Sequence, residues 1–209
     1  MATLLRIDSS PRDGDASFSR QLSAEFAEQW RQMHPGGKVI VRDLATTDLP
    51  PVSAEWIGAV YTPEPQRTTR QREALAISDA LIAELDAADE YVFGVAMHNF
   101  YIPSVFKLWI DQIARLGKTF IYENGAPAGL LTSKKATFLV ASGGVYGQGT
   151  PMAEKNLVEP YLRLIFGFLG VTDTRFVNAG GTARLQYGVD RDTILEPALE
   201  SIHYQFQPV

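Results

Sequence analysis

Residues 91–100 read Tyr-Val-Phe-Gly-Val-Ala-Met-His-Asn-Phe, and this stretch decides the fold class. Tyr91 to Ala96 is an unbroken apolar run, which is typical of a central strand in a parallel sheet that is covered on both faces. Polar and aromatic side chains follow it directly, from Met97 to Phe100. Open parallel sheets bind their ligands beyond the carboxyl ends of the strands, so these side chains lie where a ligand is expected.

Strands and helices alternate along the rest of the chain. We predict four further strands, at Thr3–Ile7, Lys38–Arg42, Ala136–Ala141 and Thr172–Asn178. One helix follows Ser17 and ends near Met33, and the others are predicted at Ser53–Val60, Arg67–Ala87, Pro103–Leu116, Met152–Leu169 and Asp190–Phe206. The segment Lys118–Leu131 is predicted to be a loop, with a small hairpin as an alternative.

This alternation predicts an α/β fold with a doubly wound, five-stranded parallel sheet and helices on both faces. A common strand order for the pattern is 2-1-3-4-5, although the alternation itself does not fix the order. No composition break interrupts residues 1–209, which predicts one domain.

Composition excludes several classes of function. The 209 residues include no cysteine, which excludes disulfides, thiolate zinc sites, iron–sulfur clusters and cysteine nucleophiles. The three histidines, His34, His98 and His203, lack metal-ligand spacing, so no metal site is expected. A net charge of -5 without basic blocks argues against nucleic-acid binding. Neither an apolar segment of ~20 residues nor a signal peptide is visible, so we expect no membrane span and a cytoplasmic location.

The loop after the first strand, Ser9 to Arg20, is rich in serine and enters a helix. Free N–H groups and the positive dipole end of a helix attract phosphate, and serine hydroxyls add hydrogen-bond donors. The loop is neither the G-x-x-x-x-G-K-[ST] phosphate loop nor the G-x-G-x-x-G dinucleotide fingerprint. The alternative is that Ser17 or Ser19 only caps the helix.

Two further loops follow the third and fourth strands. In the first, Met97 and Phe100 offer apolar contact to a planar ring, and Asn99 offers hydrogen bonds to its edge. In the second, Gly143 and Gly144 let a flat ligand approach the backbone. An ordinary strand-to-helix turn and a flexible connection are the respective alternatives.

Together these loops resemble those of the FMN-dependent NADH azoreductases, which are flavodoxin-like NAD(P)H:quinone oxidoreductases. The resemblance covers nearly the whole chain, and Met97-His98-Asn99-Phe100 with its flanking matches is its most specific part. Further matching segments are Ser9-Ser10, Ser17-x-Ser19, Val41-Arg42-Asp43-Leu44, Arg70 to Leu75, Leu81 to Leu85, Glu123-Asn124-Gly125, Ser142-Gly143-Gly144 and Phe166 to Gly170.

The resemblance implies the flavodoxin-like strand order 2-1-3-4-5, non-covalent FMN, and a homodimer with its site near the interface. It implies a ping-pong transfer of hydride from NADH or NADPH through FMN to quinones or azo compounds, with no obligatory catalytic side chain. Carried over by position, the phosphate is held by Ser10, Ser17, Phe18 and Ser19. The ring and ribityl chain are lined by Met97, His98, Asn99, Phe100, Ala141, Ser142, Gly143 and Gly144.

The chain departs from the family pattern at two positions. His98 stands where the family commonly has tyrosine, and Ser142 where it often has arginine. We expect these departures to affect substrate stacking and the flavin potential more than FMN binding. Phe120 and Tyr122 are candidates for the substrate wall, with packing or dimer contacts as the alternative.

Two other functions fit the sequence pattern. One is a flavodoxin-like electron carrier without small-molecule turnover. The other is a flavin-free α/β protein that binds a phosphorylated ligand or partner.

Overall fold

The strands form one large sheet and one small hairpin in the structure, a computed structural model that describes residues 1–207. In chain order they are β1 (Thr3–Asp8), β2 (Lys38–Asp43), β3 (Glu90–Ala96), β4 (Phe120–Glu123), β5 (Ala126–Gly129), β6 (Lys135–Ser142) and β7 (Asp173–Gly180). The large sheet is parallel and has the order β2-β1-β3-β6-β7, whereas β4 and β5 pair antiparallel. Because the hairpin strands lie outside the large sheet, this is the predicted order 2-1-3-4-5, which is confirmed.

Six α-helices of the described residues connect and cover the strands: α1 (Phe18–Met33), α2 (Ala54–Tyr61), α3 (Thr69–Ala87), α4 (Ser104–Ile113), α5 (Val158–Phe168) and α6 (Arg191–Gln205). Thr68 and Gln71 form a capping box at the start of α3. The side chain of each residue accepts a hydrogen bond from the backbone N–H of the other, so two N–H groups that the helix leaves free are satisfied. Within residues 1–207, no helix is both long and apolar enough to cross a membrane.

The central strand β3 has a core on each face, as its apolar run predicts. Phe93 belongs to a cluster that includes buried side chains of α3, α4 and α5. Val92 belongs to a second cluster, with α1 and α6. Phe93 stacks on Phe138 of the neighbouring strand, with the ring centroids 4.8 Å apart. Helices therefore cover both faces, and ligand access is left to the sheet edge where the strands end.

The segment Lys118–Leu131 is predicted from the sequence to be a loop, with a small hairpin as the alternative. It contains the β4–β5 hairpin, so the alternative is confirmed. Its return strand ends at Gly129, against the turn that follows α5. A Cβ atom on Gly129 would lie 2.1 Å from the backbone N of Gly170, and the N–H of Leu131 donates to the carbonyl of Leu169 at 2.9 Å. This close backbone contact fixes the hairpin to α5.

One predicted helix is too long. The expected Met152–Leu169 is a short 3-10 turn followed by α5 from Val158. The side chain of Asn156 accepts hydrogen bonds from the N–H groups of Val158 and Glu159 at 3.2 and 3.3 Å, which starts the helix there. The predicted end of the helix over Pro103–Leu116 is also wrong, because α4 ends at Ile113.

Gly94 allows α1 to pack closely on β3. A Cβ atom there would lie 2.6 Å from a carboxylate oxygen of Asp8 and 2.9 Å from the carbonyl oxygen of Ser19. We predict that Gly94→Ala lowers the free energy of unfolding by about 1–3 kcal/mol, the usual cost of overpacking. The urea midpoint measures this change.

Gly58→Ala in α2 is the matched control, because a Cβ atom there meets nothing within 4 Å. Alanine in place of glycine within a helix raises the free energy of unfolding by about 0.5–1 kcal/mol. Equal urea midpoints for wild type and Gly94→Ala would show that the contact between α1 and β3 tolerates a side chain.

Candidate functional site

A cavity of about 240 Å³ lies where β1, β3 and β6 end. It brings together the three loops that the sequence singled out. Nine predicted ligand residues line it: Ser10, Ser17, Phe18, Ser19, Met97, His98, Ala141, Ser142 and Gly143. The other lining residues are Pro11, Arg12, Ala16, Ala96 and Thr182.

One end of the cavity is the N-terminus of α1. Ser10, Ser17 and Ser19 place three buried hydroxyl groups there. The Ser17 hydroxyl accepts a hydrogen bond from the N–H of Arg20 at 3.4 Å, so Ser17 caps α1 while its own O–H remains a donor for a ligand. The N–H groups of Phe18 and Ser19 lie in the first turn and have no acceptor within the helix. The first turn of α1 contains no acidic residue, and its charge therefore favours an anion.

Arg20 ties the serine loop to the end of β2. Its guanidinium donates to the carbonyl oxygen of Ser10 at 2.6 and 3.1 Å and to the carboxylate of Asp43 at 2.7 and 2.8 Å. The hydrogen bond from Arg20 holds the pKa of Asp43 below its ordinary value. A bidentate pair of this kind has a fixed geometry, so it positions the Ser10 backbone at the cavity.

A buried carboxyl group lies behind the cavity, at the end of β1. Asp8 accepts a hydrogen bond from the Ser23 hydroxyl at 2.5 Å and pairs with Arg6 at 2.8 Å. Burial raises its pKa, against the charge of Arg6 and the Ser23 hydrogen bond. Asp8 is not among the lining residues, and its contacts hold α1 on the sheet rather than face a ligand.

The loop after β3 is a tight turn. His98 and Tyr101 exchange two backbone hydrogen bonds of 2.9 Å, and the two residues between them have left-handed backbone, with φ of +50° at Asn99 and +68° at Phe100. This region is rare for phenylalanine and marks local strain of the kind that clusters at binding sites. The turn directs Phe100 outward, where its ring meets the Tyr146 ring edge-on at 6.0 Å.

Three predicted ring-binding residues, Asn99, Phe100 and Gly144, are not among the residues that line the cavity. Each of these three residues is adjacent in sequence to a lining residue or lies in the same turn as one. Ser142 is the last residue of β6, and its hydroxyl donates a hydrogen bond to the carbonyl oxygen of Gly144 at 2.9 Å. Gly143 has open space, since the nearest atom to an added Cβ is 3.8 Å away. A flat ligand can therefore approach the backbone at Gly143.

The two predicted substrate residues lie on β4, away from the cavity lining. The Phe120 ring packs on Phe168, with centroids 4.7 Å apart, and Tyr122 is 63% exposed. Their role in binding a substrate stays a prediction.

Sequence reasoning missed Arg12 and Thr182 as lining residues. Arg12 belongs to the serine-rich loop from Ser9 to Arg20, and its positive charge could have indicated an anion site. Thr182 follows β7, so the rule that ligands bind beyond the strand ends would have found it. The pairing of Arg20 with Asp43 had no local signal, because it joins residues 23 positions apart.

A second cavity, of about 250 Å³, opens at the opposite edge of the sheet, beside Glu90, Lys135 and Asp173. These residues begin β3, β6 and β7. Its lining includes both acidic and basic side chains. It does not include the N-terminus of α1, whose free N–H groups lie beside the first cavity. Within residues 1–207, no group of three histidine, cysteine or acidic side chains is placed to hold a metal ion.

The family model described as a flavodoxin-like fold matches residues 2–205. The chain belongs to this flavodoxin-like family. Two relatives match this chain over nearly their whole length. An FMN-dependent NADH:quinone oxidoreductase of Acidobacterium capsulatum is 56% identical over 203 residues, covering 97% of this chain and 98% of the relative. An FMN-dependent NADH:quinone oxidoreductase of Burkholderia lata is 46% identical over 207 residues, covering 99% and 100%.

A solved structure gives the same result in three dimensions. The azoreductase from Bacillus anthracis superimposes with a TM-score of 0.88 at 30% sequence identity, and the match covers 99% of each chain. The family to which the sequence was similar is therefore confirmed, and the flavodoxin-like sheet with it.

The Arg20–Asp43 pair makes stability depend on pH. Because folding lowers the pKa of Asp43 from its ordinary value of 3.8, its carboxylate stabilises the fold above that value. This contribution is lost as the pH falls through the folded pKa. We predict that Asp43→Asn lowers the free energy of unfolding by about 1 kcal/mol at neutral pH and by progressively less as the pH falls below about 4.

Urea unfolding across this pH range measures the difference. Asp48→Asn is the control, because Asp48 is an exposed carboxylate of the same connecting region. A difference between wild type and Asp43→Asn that stays constant down to the lowest pH would mean that the ion pair does not stabilise the loop.

Proposed function

We propose that this protein is an FMN-dependent oxidoreductase that uses NADH to reduce quinones and aromatic azo compounds. The observation that carries the proposal is the cavity at the strand ends, where three buried serine hydroxyls meet a helix N-terminus. The names of the Acidobacterium and Burkholderia relatives, and the azoreductase of Bacillus anthracis, support this activity.

The residues present fit FMN. A phosphate at the start of α1 would accept hydrogen bonds from the N–H groups and hydroxyls of that turn, with Ser10, Ser17 and Ser19 as its side-chain ligands. Arg12 lines the same end of the cavity and adds a positive charge. The hydroxyls are buried and close together, with Ser17 and Ser19 oxygens 3.4 Å apart. A phosphate would thus be held by donors that the fold has already positioned.

The other end of the cavity fits the flavin ring. Met97 and His98 would lie along it on one side, with Ala141, Ser142 and Gly143 on the other. Asn99, Phe100 and Gly144 belong to the same two loops and complete the proposed ligand set. The open space beside Gly143 suits a flat ring, because a side chain there would fill it.

FMN, when bound, would supply the redox chemistry for a two-electron transfer from NADH to the acceptor. The chain's own residues hold and orient the ring. We assign no catalytic acid or base, because water at the exposed mouth beside His98 can supply protons. We propose that donor and acceptor bind in turn over the exposed side of the ring, by a ping-pong mechanism. Bleaching by NADPH, measured in the same way as bleaching by NADH, shows whether the donor is NADH alone or also NADPH.

We also propose one domain and a homodimer whose interface lies beside the site. Support comes from apolar side chains that stay exposed on the hairpin and on α5: Tyr122 is 63% exposed and Leu164 is 72% exposed. Phe120 and Tyr122 lie on this hairpin, and we propose them as the substrate wall at that interface. A cytoplasmic location stays a prediction.

The visible spectrum of the purified protein with FMN tests the proposal. We expect a yellow complex that NADH bleaches without oxygen and that menadione restores to yellow. A complex that NADH does not bleach would favour a flavodoxin-like electron carrier. Protein that does not bind FMN would contradict the proposal.

Removing one hydroxyl at the phosphate end tests the assignment of residues. We predict that Ser19→Ala weakens FMN binding about ten- to a hundredfold, because a hydrogen bond to a charged group is worth about 1.5–3 kcal/mol. Titration of the apoprotein with FMN, followed by flavin fluorescence, measures the dissociation constant. Ser201→Ala, at an exposed position of α6, is the control and should bind FMN like wild type. Equal affinities for Ser19→Ala and wild type would place the phosphate elsewhere.

A further inference from the structure

A second cleft adjoins the proposed flavin site. Its volume is about 310 Å³, and it shares Met97 and Ser142 with the first cavity. The remaining lining includes Tyr146 of the loop after β6, Asn156 before α5, Asn178 of β7, Arg184 of the 3-10 turn after β7, and Thr193 and Ile194 of α6. A molecule lying over the ring edge at Ser142 would extend into this cleft.

The charge of the cleft has one sign. Arg184 is the one charged residue among the lining residues that the structure describes. The acidic residues of the nearby helix, Asp192 and Glu196, line a different cleft, with His203. The ion pairs found within residues 1–207 do not include Arg184. Its charge is therefore available to a ligand.

Arg184 also lies close to the loop after β6. Its side chain lies back over Gly181, where an added Cβ would be 3.1 Å from Arg184 Cδ and 3.8 Å from Nη1. The same added Cβ would be 3.4 Å from a methyl group of Val145, in the loop after β6. The exposed side chain of Arg184 thus lies beside the loop that borders the flavin site.

The other polar groups of the cleft are suited to an anion. The oxygen of the Asn156 side chain is occupied by the start of α5, which leaves its amide N–H₂ as a donor. Asn178 and Thr193 add an amide and a hydroxyl. Met97 and Ile194 contribute apolar surface. A cation and neutral donors beside apolar walls match an aromatic compound that carries a carboxylate or sulfonate.

We propose that this cleft, with Arg184 as its cation, binds the anionic substituent of the electron acceptor, so that the enzyme prefers acidic aromatic quinones and azo compounds over neutral ones. This inference rests on the proposed function and names a substrate class for it. Arg184 is a specificity-determining residue, and it acts through charge and hydrogen bonds to the substituent, which remain the same while the ring is reduced.

The test compares two acceptors with the FMN-loaded enzyme: a naphthoquinone that carries one sulfonate, and neutral menadione. We expect Arg184→Gln to lower the ratio of their kcat/KM values about three- to tenfold, mainly through the KM of the sulfonate. Arg184→Lys keeps the charge and should retain most of the preference. Arg31→Gln removes an equal charge at the far end of α1 and should leave the ratio unchanged.

Binding of naphthalene sulfonate, which is not reduced, gives a second measurement. Calorimetry on the FMN-loaded protein should give a dissociation constant about three- to tenfold weaker for Arg184→Gln than for wild type and Arg31→Gln. Equal constants, or an equal loss of activity with both quinones, would overturn the inference even if quinone reduction is found. Sulfonate binding that depends on Arg184 in a protein that reduces neither quinone would support the anion site and contradict the proposed function.

Discussion

The parallel, in-register pairing of β1, β3 and β6 is the constraint on which the site depends. Asp8 lies beside Gly94, and Ala96 lies beside Ala141, so neighbouring strands end at one edge of the sheet. Each loop that leaves this edge begins within one strand spacing of the next, about 4.8 Å. Side chains far apart in sequence, such as Ser19 and Ser142, are therefore brought to one cavity.

A layer of ion pairs makes this edge rigid where the chain is irregular. Arg20 holds the serine loop and the end of β2 together, and Arg6 pairs with the buried Asp8 behind them. These contacts fix the backbone around the hydroxyl groups before any ligand arrives. Preorganised donors cost little reorganisation when an anion binds, so the polar layer connects the stability of the fold with the affinity of the site.

Much of the fold could be predicted because its signals are local. The apolar run of β3 and the alternation of elements give the sheet, and Gly170, with φ of +104°, ends the helix before β7 as its position in the sequence suggests. The length of α5 could not be predicted, since Asn156 starts the helix through its side chain and the preceding residues form a separate turn. Periodicity does not distinguish such a break from a continuous helix.

The site was predictable where it follows the strand ends and unpredictable where it depends on distant contacts. Nine of the proposed ligands line one cavity because they lie in loops that leave neighbouring strands. The strained turn at Asn99 and Phe100 contains no glycine, so the residue that most often indicates left-handed backbone is absent from it. Arg184 and the cleft beside it depend on how the segment after β7 packs against the loop after β6, and neither segment indicates this contact alone.

The structure of the protein crystallised with FMN is the measurement that tests the central claim most directly. We expect the phosphate at the N-terminus of α1, within hydrogen-bond distance of Ser17 and Ser19, and the ring between Met97 and Gly143. FMN found in the cavity beside Glu90 and Lys135, at the opposite edge of the sheet, would contradict the account.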